Sequence, residues 1–552
     1  MNAFTLMETP KQNKYFYDQQ LKSTQWCHPL LYYILKLHDQ GIDVDQWYRE
    51  LTDNPDDPVQ IEECGSFSSR GSAPPTHSQS ARFRSFGTSS QKFAEKTKFQ
   101  KVFTKSDIAY YYRKYLLLRE NGFFSGIDTQ HYLSERLSAD QIKSSLANTR
   151  QVTFEVTDFC NLECAYCTYG KFYNNYDQRE RKKMNTNTAK TFLNYLLNLL
   201  NSPLNQSHHQ FINIGFYGGE PLLNFPFIRE IVNYALQLNG VHNHFCFNMT
   251  TNGILLKRYM DFLVEHDFSL LISLDGNEYN NSYRVFKDGT PAYQHILKNV
   301  NALRTKYPGY FESKVNFNAV FHNRNSVSGI HRYFKTQFNK VVSISELNPI
   351  GIKGSMRKEF WKTYANIKAS LSQIEDYSLV EKDMFILLPN IKGMNTFLHQ
   401  CSGFVFTDYN ELLSAGAEVK TGKEKTLIPT GTCVPFSRKV FITANGKILP
   451  CERIGFQYSL GTVDEKKVEL DFEKIAETYN NYYDKLRNQC HACANSEACI
   501  QCIFYLNPET PDPKCSGLFN KKEFSRFLST QMAYLEENPY IYLKIMKEVM
   551  VE

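Results

Sequence analysis

The pattern of apolar and polar positions divides the chain into four regions and a tail. Residues 14–17 and 23–27 form two short β-rich runs around a polar turn at 18–22. His28-Pro29 opens an apolar helical run from Leu30 to Leu37, closed by Gly41. Thr104-x-x-Asp107 has the spacing of a capping box for a helix from Ile108 to Glu120, stopped by Asn121-Gly122. Hairpin, helix, helix over residues 1–146 reads as a small winged-helix-like α+β domain or as a plain α+β extension. From about 150 to 350 the pattern alternates. Short apolar runs at 152–156, 211–217, 246–250, 270–274, 315–321 and 341–347 are separated by helical stretches such as 188–200, 227–238 and 254–265. Six strands with crossover helices predict an α/β fold, a partial (β/α)6 TIM-like barrel, with its chemistry at the strand C-termini. Residues 351–432 read as a connecting region of helix and loop without a legible motif. Residues 433–520 are rich in cysteine, and 521–552 form a helical tail.

Composition narrows the class. Hydrophobic residues are 42% and charged residues 22%, which is globular rather than disordered. No apolar run approaches the ~20 residues of a membrane helix. The first twenty residues lack the apolar stretch of a signal peptide, so the expected location is cytoplasmic, away from membranes. The net charge of +6 has a local origin: between Cys64 and Lys105 there are eight Lys/Arg and one acid, Glu95. With Ser66, Ser68, Ser69, Gly71, Pro74 and Pro75, this stretch reads as a solvated basic linker at about 64–100; a binding surface is the alternative. With the charge so localised, a nucleic-acid partner has no support. The 14 cysteines are many for a reducing compartment and point to metal or redox chemistry.

Their spacing sharpens this. Cys160, Cys164 and Cys167 form a C-x3-C-x2-C just after the first barrel strand. Three thiolates on one loop can hold three irons of a four-iron cluster and leave the fourth open; a zinc knuckle usually needs a fourth ligand nearby. Cys160-Asn161-Leu162-Glu163-Cys164-Ala165-Tyr166-Cys167 resembles the signature of radical S-adenosylmethionine (SAM) enzymes, including the aromatic residue before the last cysteine. Gly218-Gly219-Glu220-Pro221, Thr251-Asn252-Gly253 and Ser273-Leu274-Asp275-Gly276 follow at the next three strand ends, then Arg284. Alone, Gly-Gly-Glu-Pro is a turn; in register with the other strand ends it fits the family. The resemblance implies a reduced 4Fe-4S cluster that cleaves SAM to a 5′-deoxyadenosyl radical. It implies a cofactor site of Tyr166, Gly218, Gly219, Glu220, Pro221, Asn252, Ser273 and Arg284. The glycines would let the backbone approach the cosubstrate and Glu220 would meet its ammonium. Ser273 and Arg284 would meet ribose and carboxylate. No catalytic base is named.

Cys433-x12-Gly446-x4-Cys451, Cys490-x2-Cys493-x5-Cys499-x2-Cys502 and Cys515 resemble the SPASM domain of radical enzymes that act on peptides, although that family usually ends C-x3-C. It implies two auxiliary 4Fe-4S clusters. Cys490, Cys493, Cys499 and Cys515 would hold one, and Cys433, Cys451 and Cys502 the other, with one iron left open or bound by Cys401. A zinc ribbon over 490–502 is the alternative on spacing alone. Cys246 reads as an inert core thiol, and Cys27 and Cys64 have no partner motif. The N-terminal pattern resembles the leader-binding recognition element of ribosomal peptide maturases. The combined resemblance implies a radical SAM peptide maturase (RiPP-modifying type). It would form a thioether or carbon–carbon crosslink in a precursor peptide with a leader, fed by a flavodoxin- or ferredoxin-like electron donor. The alternatives are a sulfatase maturase making formylglycine, from which the roughly 160-residue N-terminal extension departs, and a non-catalytic iron–sulfur or leader-binding protein.

Overall fold

The β-rich runs and helical stretches fold into two units, Met1–Thr129 with Thr396–Lys423 and Phe519–Glu552, and Gln130–Asn395 with Glu424–Leu518. The structure, a computed structural model, describes residues 4–19, 23–52, 59–60, 102–124, 133–174, 176–177, 179–206, 210–238, 243–365, 370, 397, 401, 427–496 and 499–539. The basic linker at 64–100, most of 366–426 and the tail beyond 539 lie outside the described residues.

In the smaller unit, strands β1 (Phe4–Glu8), β2 (Lys14–Asp18) and β3 (Ser23–Cys27) form an antiparallel sheet in the order β1-β2-β3. The central β2 is buried along its whole length. Helix α1 (Pro29–Asp39) starts where His28-Pro29 predicts, with His28 Nδ1 accepting from Leu30 N at 3.3 Å. Helix α2 (Val44–Thr52) follows. The two-residue strands β4 (Val59–Gln60) and β5 (Val102–Phe103) pair with each other, bringing the two ends of the linker together. Helix α3 (Lys105–Glu120) has the expected capping box of Thr104 and Asp107. Phe4, Phe16, Leu30, Ile34, Trp47 and Ile108 fill the core between sheet and helices. The tail contributes helix Lys521–Glu537 to this unit. Ser525 and Ser529 hydroxyls donate to the Leu6 and Glu8 carbonyls of β1 at 2.7 and 2.6 Å. That edge is therefore covered, whereas β3 has no second strand partner among the described residues and carries Trp26, 61% exposed.

In the larger unit all six expected strands are present. They are β6 (Gln151–Thr157), β7 (Gln210–Gly218), β8 (Asn243–Thr251), β9 (Ser269–Ser273), β10 (Val315–Phe321) and β11 (Ser343–Glu346). They are parallel and adjacent in chain order. Helices such as Thr186–Leu200, Phe225–Leu238 and Leu256–Glu265 connect them. Burial alternates along β10, where Val315, Phe317, Ala319 and Phe321 point into the core and the residues between them are less buried. The sheet goes further than the sequence pattern predicts. Strand β12 (Val440–Ile442) adds to β6 in parallel, and β13 (Lys447–Leu449), β14 (Gly461–Val463) and β15 (Val468–Leu470) continue antiparallel, giving ten strands. Residues 130–146 also belong here rather than to the N-terminal unit: helix Ala139–Ala147 packs on helix Phe472–Ala492, and the buried Asn480 side chain bonds both Leu137 N and Leu137 O at 2.9 Å.

Gly446 turns β12 into β13 at φ +78°, and a Cβ there would lie 2.2 Å from the Val463 carbonyl. Gly289 has a similar φ of +84° but open space around it. Gly446→Ala should cost about 2 kcal/mol or more and Gly289→Ala about 1 kcal/mol, read from urea unfolding midpoints.

Candidate functional site

Parallel strands place their C-terminal ends on one rim, and the cysteine loop, the glycine turn and the acidic and basic residues all lie there. The loop after β6 is pinned by backbone bonds from Glu163 N to Val285 O (2.8 Å) and Ala165 N to Tyr283 O (3.1 Å). Its sulfurs meet N–H donors. Cys160 Sγ accepts from Leu162 N at 3.4 Å and Asn252 Nδ2 at 3.6 Å, and Cys167 Sγ accepts from Arg179 Nη2 at 3.3 Å. Burial pushes the Cys160 thiol up to about 11 and the Cys164 thiol up to about 12. Bound iron would have to displace these protons, so metal loading is coupled to proton release.

The glycine turn has a reason other than ligand approach. Gly218 sits at φ +125°, and a Cβ there would lie 2.4 Å from the Thr157 carbonyl; one on Gly219 would lie 2.1 Å from the Phe159 carbonyl. The missing side chains let the end of β7 pack on the end of β6, with Gly219 N donating to Thr157 O (2.8 Å) and Glu220 N to Phe159 O (2.9 Å). Glu220 is fully buried and turned inward. Oε1 accepts from Thr251 Oγ1 at 2.8 Å and Leu222 N at 3.1 Å, and Oε2 accepts from Asn252 N at 2.8 Å. Burial lifts its carboxyl to about 7, against the pull of these donors. Its role in this geometry is to lock the turn after β7 to the turn after β8. Pro221 opens the 3-10 turn that Glu220 caps. Asn252 Nδ2 reaches back to Asn161 Oδ1 at 2.8 Å, so turn and cysteine loop are tied.

Ser273 ends β9 half-buried. Beyond it Asp275, with no exposed surface, takes Arg284 in a fork: Nη2 to Oδ1 at 2.8 Å and Nε to Oδ2 at 3.1 Å. Tyr166 donates its hydroxyl to the same Oδ2. Burial alone would raise the Asp275 carboxyl, but the Arg284 charge and the hydrogen bonds of His322 and Arg284 hold it at about 2. Arg284 is therefore partly engaged by the protein, and its Nη1 has no hydrogen-bond partner among the described residues. The sequence reading did not single out Arg179, and gave Asp275 no role beyond its motif.

The C-terminal cysteines separate into two groups. Cys490, Cys493, Cys499 and Cys515 line one cavity with Thr430 and Leu486. Among the described residues no three His, Cys, Asp or Glu side chains converge on one metal-ion position. Four thiols around one cavity are a donor set that either an iron–sulfur cluster or a zinc ion would use. The Tyr479 hydroxyl is pushed well up by burial and then by the charges of Tyr483, Cys502, Cys433 and Cys451, which brings these three thiols within electrostatic reach of one buried group. The short Cys499–Cys502 spacing sends its two cysteines to different groups. The other cysteines are packed elsewhere. Cys27 is buried and lifted to about 12, and Cys246 on β8 is half-buried with Sγ 2.9 Å from Asn213 Oδ1. Cys401 is buried in the smaller unit, its carbonyl accepting from Thr24 Oγ1 at 2.8 Å; Cys64 lies outside the described residues.

Glu155 on β6 is almost fully buried, with Oε2 accepting from Ala444 N at 2.8 Å. Burial raises its carboxyl to about 7. The folded chain then holds that proton where the unfolded chain, near 4.5, has lost it. Stability from this group is therefore lost as pH rises from about 4.5 to 7. Glu155→Gln should flatten that loss, exceeding the wild type by up to about 3 kcal/mol at neutral pH and by little near pH 4.5. Thermal midpoints across this window check it.

A family model described as the Radical SAM superfamily matches residues 154–326. An uncharacterized protein of Methanocaldococcus jannaschii is 35% identical over 157 residues, 28% of this chain and 49% of that one. The radical SAM cyclopropyl synthase TigE of Paramaledivibacter caminithermalis is 22% identical over 219 residues, 39% of this chain and 43% of that one. The chain thus spans less than half the length of these curated relatives. Among solved structures, native anSMEcpe with bound AdoMet gives a TM-score of 0.46 at 18% identity, covering 72% of this chain and 100% of that one. Streptococcus suis SuiB bound to precursor peptide SuiA gives 0.35 at 14%, covering 91% and 94%. At these scores neither superposition bears on activity. The sequence match runs from β6 to the start of the helix after β10 and takes in the cysteine-bearing rim, so residues 154–326 carry a domain that matches the radical SAM superfamily.

Proposed function

We propose that this enzyme modifies a ribosomally made precursor peptide, forming a thioether or carbon–carbon crosslink. The observation that carries the reading is the joint presence, in one unit, of the Cys160–Cys167 loop on the strand-end rim and two further cysteine groups. The first loop would hold the SAM-cleaving 4Fe-4S cluster. Cys490, Cys493, Cys499 and Cys515 would hold a second, and Cys433, Cys451 and Cys502 a third with one iron open. When bound, the first cluster supplies the electron that cleaves SAM and so starts hydrogen abstraction from the peptide. The chain's own residues bind and orient. The Gly218–Pro221 turn would receive the methionine amino group, Ser273 would take the ribose, and the open edge of Arg284 the carboxylate. Tyr166 and Asn252 brace the same wall. Of the two bonds, carbon–carbon agrees with the relative named a cyclopropyl synthase. A flavodoxin- or ferredoxin-like donor completes the reading. No helix among the described residues is long and apolar enough to cross a membrane, and a cytoplasmic location belongs to this proposal.

The smaller unit would be the leader-binding, winged-helix-like domain. The support is its three-stranded sheet, with β1 covered by helix Lys521–Glu537 and β3 at the other edge. An extended leader would add to β3, its backbone supplying affinity and Trp26 a contact for side chains.

Anaerobic reconstitution should give about 12 irons per chain, four for each cluster. Replacing Cys160, Cys164 and Cys167 together by Ala should remove about four irons and all SAM cleavage. Stoichiometric zinc without iron would overturn the reading.

For the leader, Gln25→Pro with Trp26→Ala on β3 should leave basal SAM cleavage intact and abolish modification of the full precursor. Full peptide turnover by that variant would leave the unit a purely structural role. A truncation is a poorer test, because it strips helix Lys521–Glu537 of the strand it covers.

A further inference from the structure

We propose that Asp275 is a positioning residue of the cosubstrate site: it selects which edge of Arg284 stays open and couples that edge to the cysteine loop through Tyr166. The proposal deepens the radical SAM reading and rests on it. Three segments converge on this one carboxylate. Oδ1 accepts from Arg284 Nη2 at 2.8 Å and from Val320 N of β10 at 2.9 Å. Oδ2 accepts from Arg284 Nε at 3.1 Å and from the Tyr166 hydroxyl, with His322 Nε2 at 3.7 Å. A guanidinium is planar and rigid, so fixing its Nε–Nη2 edge fixes the direction of Nη1 as well. Tyr166 lies between Cys164 and Cys167. Its ring stacks on His322 at 5.6 Å, and the Arg284 guanidinium lies over it at 5.5 Å. A shift of the cysteine loop therefore reaches Arg284 through one shared acceptor, and a shift of Arg284 reaches the loop.

A buried ion pair that merely holds the rim together would show the same contacts, so the test must separate aim from stability. The holoenzyme, reconstituted anaerobically, is compared with Asp275→Asn, Tyr166→Phe and the double variant. SAM itself is the probe, by equilibrium dialysis and by the change it causes in the electron paramagnetic resonance of the reduced cluster. Iron content and thermal midpoint are read alongside. Asp275→Asn keeps the shape and one acceptor but loses the charge. Its SAM dissociation constant should rise at least about tenfold with iron content retained. The resonance change should return at high SAM. Tyr166→Phe should weaken SAM binding by a smaller factor, and adding it to Asp275→Asn should change little, because both act through one group. Unchanged SAM affinity in Asp275→Asn, with only a lower thermal midpoint, overturns the proposal, as does full additivity of the pair. Should Asp275→Asn fail to fold or hold iron, Arg284→Lys decides: it keeps the charge but loses the fork. A similar rise supports positioning, and wild-type SAM affinity overturns it.

Discussion

Two backbone hydrogen bonds hold the site together, from Gly219 N to Thr157 O and from Glu220 N to Phe159 O. They exist only because neither Gly218 nor Gly219 carries a Cβ, which would stand within 2.4 Å of a carbonyl oxygen. With that approach made, Glu220 is delivered under the cysteine loop and its two oxygens reach the turn after β8. Asn252 then reaches Asn161, and the loop that bears Cys160 is fixed from two sides. A side chain at either glycine would part the ends of β6 and β7, and each later contact with them.

Two of the carboxylates buried at the rim, Glu220 and Asp275, meet the cost in different ways. Removing a carboxylate from water is expensive unless donors or a cation replace the water. Glu220 has donors but no cation, and its carboxyl rises to about 7. Asp275 has donors and Arg284, and is held at about 2. Asp275 therefore stays charged at every physiological pH, as a hub that must neutralise an arginine should. Glu220 is shifted by burial toward its protonated form, which suits a strut that needs acceptor oxygens rather than a fixed charge.

What the sequence made legible follows from how far each signal reaches. The six parallel strands stand in it because each is a short β-rich segment set between helical stretches; in β10 buried Val315, Phe317, Ala319 and Phe321 alternate with less buried positions. The capping box at Thr104 and Asp107 is local chemistry and reads directly. Strands β12 to β15 are three residues each, too short for a periodic signal, and β12 exists because β6 offers it an edge. The tail helix Lys521–Glu537 reads as a helix, but its place on β1 depends on Ser525 and Ser529, more than 500 residues away in sequence. The residue types of the glycine turn suggest a ligand-facing reason; its close contacts with the Thr157 and Phe159 carbonyls add an internal one that depends on tertiary packing. Arg179 carries no sequence signal, since a lone arginine in a charged loop is usually solvated.

The ten-stranded sheet has a consequence for chemistry that needs more than one cysteine group. β12 is hydrogen-bonded to β6, so the hairpin that leads into Cys451 is continuous with the strand that leads into Cys160. Side chains reinforce the seam. Glu155 of β6 accepts from Ala444 N, and Asp177, beyond the cysteine loop, accepts from Lys447 Nζ at 2.6 Å and Asn445 Nδ2 at 3.1 Å. Neighbouring strands are ~4.8 Å apart, and a hydrogen-bonded sheet resists stretching in that direction. The separation between the rim cysteines and the hairpin that bears Cys451 is thus set by backbone spacing rather than by a linker. Tyr169, Tyr176 and Phe456 pack edge-on or tilted across that seam, with ring centroids 5.1–6.2 Å apart. The proposed reaction, begun at one cysteine group and ended at another, would need a fixed gap, and one continuous sheet would supply it.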